Sequence, residues 1–270
     1  LDTQGNITPL GRDMARLPVD PRIARIALAG KGTAVAQEVA VLAAALSVND
    51  PHDTPATARA AAQQAHAQWR DKSSDFITLL NLWQQWRTQR EALSQNQLRK
   101  WCEKNFVSYV RMEEWEGVHG QLVSALGLPL NKPTSTSLAE NAAIIHKTLL
   151  AGLLDHIGSR IITASEYTGP RGRQFSIFPA SALGKKAPPW VMCASLSHTS
   201  KLFARTCAAI EPAWLIEVGA HLVKRLAQHP TWNEQRLEVT ATEQLTLLGM
   251  NLGKRICHYG STHPVEARKL

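Results

Sequence analysis

The sequence predicts a multidomain chain that is α first and β second, a helical bundle followed by a small five-stranded barrel. Three observations carry this reading. Through roughly the first 145 of 270 residues, apolar side chains recur at helical spacing between capping signals. After Ile157 the period changes to short runs of β-branched and apolar residues bounded by Gly and Pro. The charge changes at the same place: residues 1–145 hold 15 basic and 14 acidic side chains (+1), residues 146–270 hold 15 and 8 (+7).

The helices follow from their punctuation. Thr8-Pro9 sets an N-cap before a proline at the first helical position, and Leu10–Leu17 runs until Pro18. Asp20-Pro21 repeats the device for Arg22–Ala29. Thr33 stands where it could cap Ala34–Val48, whose Val35, Val39, Leu42 and Leu46 share one face. Thr54-Pro55 opens an Ala-rich stretch to Trp69. Ser74 opens a helix to about Leu93, with Phe76, Leu79, Leu80, Trp83 and Trp86 or Arg87 as its stripe. Ser94 starts another through Glu103, and Val107–Leu126 is closed by Gly127 and Pro129. Such short connections make a bundle. Pro129–Ser137, rich in Pro, Ser and Thr, is the clearest seam, and Ser137 caps a last helix to about Leu154. The tryptophans Trp69, Trp83, Trp86, Trp115 and Trp214 read as core rather than as stacking platforms.

Strands are expected at Ile157–Thr163, Gln174–Phe178, Trp190–Ser197, Leu202–Ile210 and Leu237–Leu248, interrupted by a short helix, Ala213–Arg225. Gly169–Arg173 reads as a turn and Pro179–Pro189 as a longer loop. A five-stranded oligonucleotide-binding (OB) barrel is one solution for this pattern, and the faces and loops of such barrels bind single strands.

Several classes are excluded. The longest purely apolar run, Val39–Leu46, has eight residues, against the roughly 18–20 that span a bilayer. Cys102, Cys193, Cys207 and Cys257 form no CxxC pair and no zinc spacing, so free thiols in a reducing cytoplasm are expected. Leu28–Thr33 (LAGKGT) glances at a phosphate loop but lacks its first glycine and follows a helix, so Gly30 reads as a helix C-cap. No G-x-S-x-G or H-E-x-x-H occurs, and the histidines lack ligand spacing. Glu113, Glu114 and Glu116 read as a solvated helix face. No catalytic or metal centre is expected. The chain opens at Leu1-Asp2-Thr3, without Met or leader, and reads as a piece of something longer.

Of the nine charged residues in 155–207, seven are basic: Arg160, Arg171, Arg173, Lys185, Lys186, Lys201 and Arg205. Such a patch is either the footprint of a polyanion partner or a solubilising surface. Arg171 and Arg173 flank Gly172 in a turn, and Lys185 and Lys186 lie in a Pro-bounded loop. Lys201 and Arg205, four apart on an extended segment, point to the same face, a spacing suited to a phosphate backbone.

Beyond these patterns, blocks of the sequence resemble DEAH-box RNA helicases. Leu10–Arg22 (LGRDMARLPVDPR) resembles the end of their winged-helix domain. Val39–Val48 with Asn49-Asp50-Pro51, Asp71–Phe76 (DKSSDF) with Leu80–Trp83, Trp101–Phe106 (WCEKNF), Arg111–Trp115 (RMEEW) and His119–Leu122 are similar to the helical ratchet domain. Glu166–Gly169, Phe175–Pro179, Lys185–Met192, Thr199–Arg205 and Ile210–Leu215 resemble the C-terminal OB-fold of the bacterial HrpA-type members. The layout implied is 1–30 end of a winged helix, 31–136 ratchet, 137–260 linking helix plus OB-fold, and 261–270 a tail or following region. The two motor domains that carry the ATP site precede this region in the family and are absent from the chain. The loop usually written His-Pro-Ser-Ser reads Phe178-Pro179-Ala180-Ser181 here.

What the resemblance implies is an accessory module of an ATP-dependent RNA helicase, forming one wall of a single-strand RNA tunnel and hydrolysing nothing alone. ATP and Mg would belong to the parent protein, and no cofactor to this region. The implied partners are single-stranded RNA and motor domains of the same polypeptide, for a cytoplasmic monomer. The implied RNA contacts are Arg171, Arg173, Ser181, Lys185, Lys186, Thr199, Lys201 and Arg205. Arg111 is carried over as a further contact, the alternative being an ion pair with Glu113 or Glu114. The rival reading is a protein scaffold whose basic barrel docks a regulator or a ribosomal partner.

Overall fold

The computed structural model describes residues 2, 4–129, 137–161, 166–184 and 187–268. The expected seam at Pro129–Ser137 lies outside them except at its two ends.

The caps largely fall where local chemistry puts them. Thr8 accepts the Gly11 N–H (3.0 Å) to open α1 (Pro9–Met14), and Asp20 accepts the Arg22 N–H to open α2 (Pro21–Gly30). Thr33 does not cap: its hydroxyl donates to the Gly30 carbonyl (2.8 Å), and α3 (Ala36–Ala45) begins after Val35. Gly30 is no left-handed cap either. It is the last residue of α2, and a Cβ there would stand 2.6 Å from Val39 Cγ1, so glycine is what lets α2 close on α3. The Ala-rich stretch starts with a 3-10 turn, Ala56–Ala58, before α4 (Arg59–His66) and a second turn, Ala67–Trp69. Ser74 caps α5 (Asp75–Ala92), Ser94 and Gln97 form the capping box of α6 (Gln95–Lys104), and Ser108 caps α7 (Tyr109–Leu126). Gly127, with φ +68°, closes α7 in the left-handed region, and α8 (Leu138–Leu153) follows Ser137.

These helices share one continuous core, and Trp69, Trp83, Trp86 and Trp115 are buried in it while Trp214 packs at its edge. Trp115 donates its indole N–H to the Val41 carbonyl (2.9 Å). Glu113 and Glu116 are not merely solvated. Glu116 accepts from the Trp86 indole and pairs with Arg87 and Arg90 (both 3.0 Å), and Glu113 pairs with Arg90, tying α7 to α5.

The second half contains a closed barrel of β1 (Ile157–Arg160), β2 (Tyr167–Thr168), β3 (Gln174–Ile177), β4 (Trp190–His198) and β5 (Leu202–Ala209), in the order β1-β2-β3-β5-β4. All pairs are antiparallel except β3 with β5, which sets Ser176 beside Phe203 and runs parallel. Tyr167, Phe175, Val191, Cys193, Ala204 and Cys207 fill the interior. The fifth barrel strand is therefore the two-residue β2, not Leu237–Leu248. The latter is the central strand β7 (Glu238–Leu247) of a separate antiparallel sheet, between β6 (Val223–Asn233) and β8 (Met250–His258). The preceding helix, α9 (Pro212–Val218), stops well short of Arg225, which is in β6. Two short turns of helix, α10 (Tyr259–Thr262) and α11 (Pro264–Ala267), complete the described chain. Leu245, Leu247, Met250 and Leu252 bury the meander into the main core.

Barrel and bundle are joined by the start of α5. Asp75 accepts from Ser181 Oγ (2.6 Å) and from the backbone N–H groups of Ala182 and Cys207 (both 2.8 Å). The Ser73 carbonyl accepts from the Ala209 N–H, and Ser74 bonds His146 of α8 (2.8 Å). Among the described residues no helix is long and apolar enough to cross a membrane. All four cysteines are free, three of them buried, and burial pushes the Cys102 and Cys193 thiols up to about 12.

Candidate nucleic-acid interface

The outer face of β3, β5 and β4 gathers basic and aromatic side chains. Odd residues at the start of β5 point outward, because Ala204 is buried in the barrel, and β5 registers Phe203 against Ser197 and Arg205 against Ser195. Arg205 lies over the ring of Phe178, with its Cζ 3.8 Å from the centroid, and donates Nε–H to Ser197 Oγ (2.8 Å). Phe178 meets Phe203 edge to face (5.7 Å, 89°), and the Lys201 ammonium stands 5.5 Å from the centre of Phe203. Lysine, two rings and arginine thus form one continuous stack. Lys201 also pairs with Glu166 at 3.7 Å; both side chains are substantially exposed, and such a pair is worth about 0–1 kcal/mol.

Topology explains why this end of the barrel is accessible. Lys201 and Thr199 sit in the β4–β5 turn, where the Thr199 N–H donates to the Lys201 carbonyl (3.0 Å). Because β3 and β5 are parallel, Arg173, just before β3, enters the barrel from the same end as Lys201. Arg171 and Arg173 are exposed in the β2–β3 turn. Arg171 has φ +59°, and its N–H donates to the Leu248 carbonyl of the meander (3.2 Å). On the same strand face Ser176 Oγ is buried without a hydrogen-bond partner among the described residues.

Other sequence candidates are placed differently. Ser181 does not present its hydroxyl to solvent: it donates to Asp75 and accepts from the Leu183 N–H (3.2 Å), so it serves the joint between barrel and bundle. Arg111 forms no ion pair with Glu113 or Glu114 among the described residues; it donates to the Asp50 carbonyl (2.9 Å), holding α7 to the loop after α3. Lys185 and Lys186 lie outside the described residues. Phe178 and Phe203 were not among the candidates. The alternation Lys201, Phe203, Arg205 is a visible signal for one of them. Phe178 joins only through the parallel β3–β5 pairing, which no local pattern announces. Among the described residues no three His, Cys, Asp or Glu side chains converge as a metal site.

Comparison with known proteins fits this architecture. Residues 1–19 match the family described as helicase associated domain (HA2), winged-helix, and residues 20–79 match helicase associated domain (HA2), ratchet-like. Residues 145–222 match the oligonucleotide/oligosaccharide-binding (OB)-fold family. The ATP-dependent RNA helicase HrpA of Escherichia coli is 39% identical over 268 residues, covering 98% of this chain and 20% of that protein. The HrpA homolog of Haemophilus influenzae is 38% identical over the same shares. The pre-mRNA-splicing factor ATP-dependent RNA helicase prp22 of Schizosaccharomyces pombe is 28% identical over 225 residues, 83% of this chain and 19% of that protein. The chain spans about a fifth of the length of these curated relatives. With these profiles in series and this identity along nearly its whole length, the chain corresponds to the C-terminal region of HrpA-type DEAH-box RNA helicases, with its winged-helix, ratchet-like and OB-fold segments.

Proposed function

We propose that this region is the RNA-binding accessory module of an ATP-dependent RNA helicase, forming one wall of a single-strand RNA tunnel in a cytoplasmic, monomeric protein. The observation that carries the reading is the cation–aromatic stack at the β4–β5 end of the barrel, together with the basic turn residues around it. In OB barrels this kind of surface receives oligonucleotides, and a positively charged groove lined with aromatic rings suits a single strand of any sequence. Arg171, Arg173, Lys201 and Arg205 neutralise phosphates, and Thr199 offers a hydroxyl beside them. The motor domains of the same polypeptide supply the opposite wall, and ATP and Mg act there. The chain alone is expected to turn over no ATP with or without RNA, and activity that survives repurification would overturn the accessory role.

Binding of the isolated chain to short single-stranded RNA is expected to be weak, indifferent to sequence and salt-dependent, since phosphate contacts carry no base information. Replacing Lys201 and Arg205 together with Ala should weaken all sequences alike and flatten the log–log salt slope by about 1.4, two contacts at about 0.7 each. The same double change at Arg99 and Lys100 on α6 should do little. Equal losses from both pairs would mean diffuse attraction. No loss from either would assign the basic face to a protein partner, the scaffold role.

A further inference from the structure

We propose that Phe178 and Arg205 form a nucleobase-stacking subsite, so that the barrel holds one base of the bound strand as well as its phosphates. The inference rests on the RNA-binding reading above and deepens it.

The geometry carries it as follows. A surface arginine that serves only as a phosphate contact keeps its guanidinium mobile in water. Here the plane is held twice: its face lies on Phe178, with Cζ 3.8 Å from the ring centroid, and its Nε–H is tied to Ser197 Oγ at 2.8 Å. Phe178 in turn is fixed edge to face against Phe203. The arginine has therefore lost much of the rotamer freedom that binding would otherwise cost. One guanidinium face is covered by the ring. The other is turned away from it, and the side chain is only half-buried. Its two terminal nitrogens bond no described residue. A flat, weakly hydrated cation backed by an aromatic ring stacks well on a nucleobase, and Arg planes serve this role in single-strand recognition.

A base placed on that outer face extends the stack to three layers, ring, guanidinium and base. The terminal nitrogens remain free to donate to an adjacent phosphate. Lys201, four residues earlier on the same side, is placed for the next phosphate along the strand. Every base has a π-face, so the subsite favours a base over its absence without reading its identity.

The test uses the whole 270-residue chain and two fluorescent strands of equal length and charge, adenine RNA and the same ribose-phosphate backbone with abasic positions. Wild type is expected to bind the adenine strand about thirtyfold more tightly, one stacked base at the middle of the usual range. Arg205→Lys keeps the charge and removes the plane. It should bring the ratio of adenine to abasic affinity down to about one, beyond whatever loss common to both strands follows from its phosphate hydrogen bonds. Phe178→Leu, which keeps an apolar side chain and leaves Arg205 without a ring to lie on, should shift the preference in the same direction. Thermal midpoints of both variants check folding. A ratio of adenine to abasic affinity unchanged in Arg205→Lys would leave Arg205 a phosphate contact alone and overturn the subsite. Equal wild-type affinity for the two strands would do the same while leaving RNA binding intact. Absence of wild-type binding to either strand would remove the RNA-binding reading itself.

Discussion

Asp75→Ala is expected to destabilise the chain by about 4 kcal/mol and to lower its thermal midpoint by on the order of 10 °C. The carboxylate accepts three hydrogen bonds from the barrel, one from Ser181 Oγ and two from the backbone N–H groups of Ala182 and Cys207. Bonds to a charged acceptor are worth about 1.5–3 kcal/mol each, and the lower figure suits this half-buried group. Removing the acceptor leaves two backbone donors facing a gap that water fills poorly. Asp75 also occupies the first turn of α5, where a negative charge gains about 0.3–1 kcal/mol from the helix dipole. Asp75→Asn should recover little, since one oxygen becomes an NH2 that meets a backbone N–H donor to donor. Ser181→Ala removes a single donor and should cost about 1 kcal/mol. Calorimetry of the three variants gives the ordering. A midpoint for Asp75→Ala within about 2 °C of wild type would mean that barrel and bundle are held by apolar packing alone.

That joint also marks how far the sequence could be read. Caps such as Thr8, Asp20, Ser74, Ser94 and Ser108 are local devices, each satisfied by an N–H two or three residues away, and the helices they open were legible from spacing alone. Thr33 shows the limit: the same residue type before an apolar run bonds backward to Gly30 instead, because α2 and α3 approach too closely for a helix to begin there. Strands were harder. The two residues of β2 carry no period at all, and they exist as a strand only because Tyr167 registers with Phe175 and Thr168 with Ser159. β6 hid behind its polar content. Lys224 and Arg225 continue the helical rhythm of α9, and only the pairing with β7 makes them extended. The fold class nevertheless holds, because β2 takes in the barrel the place expected for Leu237–Leu248, and five strands close it.

The candidate interface was half legible for the same reason. Charge and period two located Lys201 and Arg205 on one face of β5, a consequence of strand geometry that needs no partner. Lys201 lies on Phe203, two positions along the same strand, but what Arg205 lies on is set by a neighbour 27 positions away, and Phe178 entered the site only through the β3–β5 pairing. A loop motif marks Ser181 as a contact, yet its hydroxyl is spent on Asp75, 106 positions away. Arg111 had carboxylates on its own helix, and a backbone carbonyl 61 positions away takes its place.

Acid should weaken the fold well before the carboxylates titrate. His146 and His119 are both buried, and loss of solvation pushes each from 6.5 down to about 4, assisted at His119 by the positive charge of Arg87 and opposed at His146 by Asp71. Ser74 Oγ accepts from the Ile77 N–H, which leaves its proton to donate to His146 Nε2, and that bond requires the neutral ring. His119 packs against Trp83 (4.8 Å), and its Nε2 has no hydrogen-bond partner among the described residues. A depressed histidine pKa means that the unfolded chain binds a proton which the native chain refuses. Stability is then complete above about pH 6.5, falls as pH drops toward about 4, and levels off below. Between pH 7.5 and 5 each histidine contributes a loss of about 2 kcal/mol, so urea titrations should register about 4 kcal/mol for the pair. His119→Phe separates the two contributions. It keeps a ring against Trp83, removes the orphaned nitrogen and abolishes one of the two proton-linked losses. The variant should equal or exceed wild-type stability at pH 7.5 and show about half its decline by pH 5. An unchanged decline in His119→Phe would place the acid sensitivity elsewhere. A wild-type stability that is flat between pH 7.5 and 5 would mean that neither histidine is held neutral by the fold.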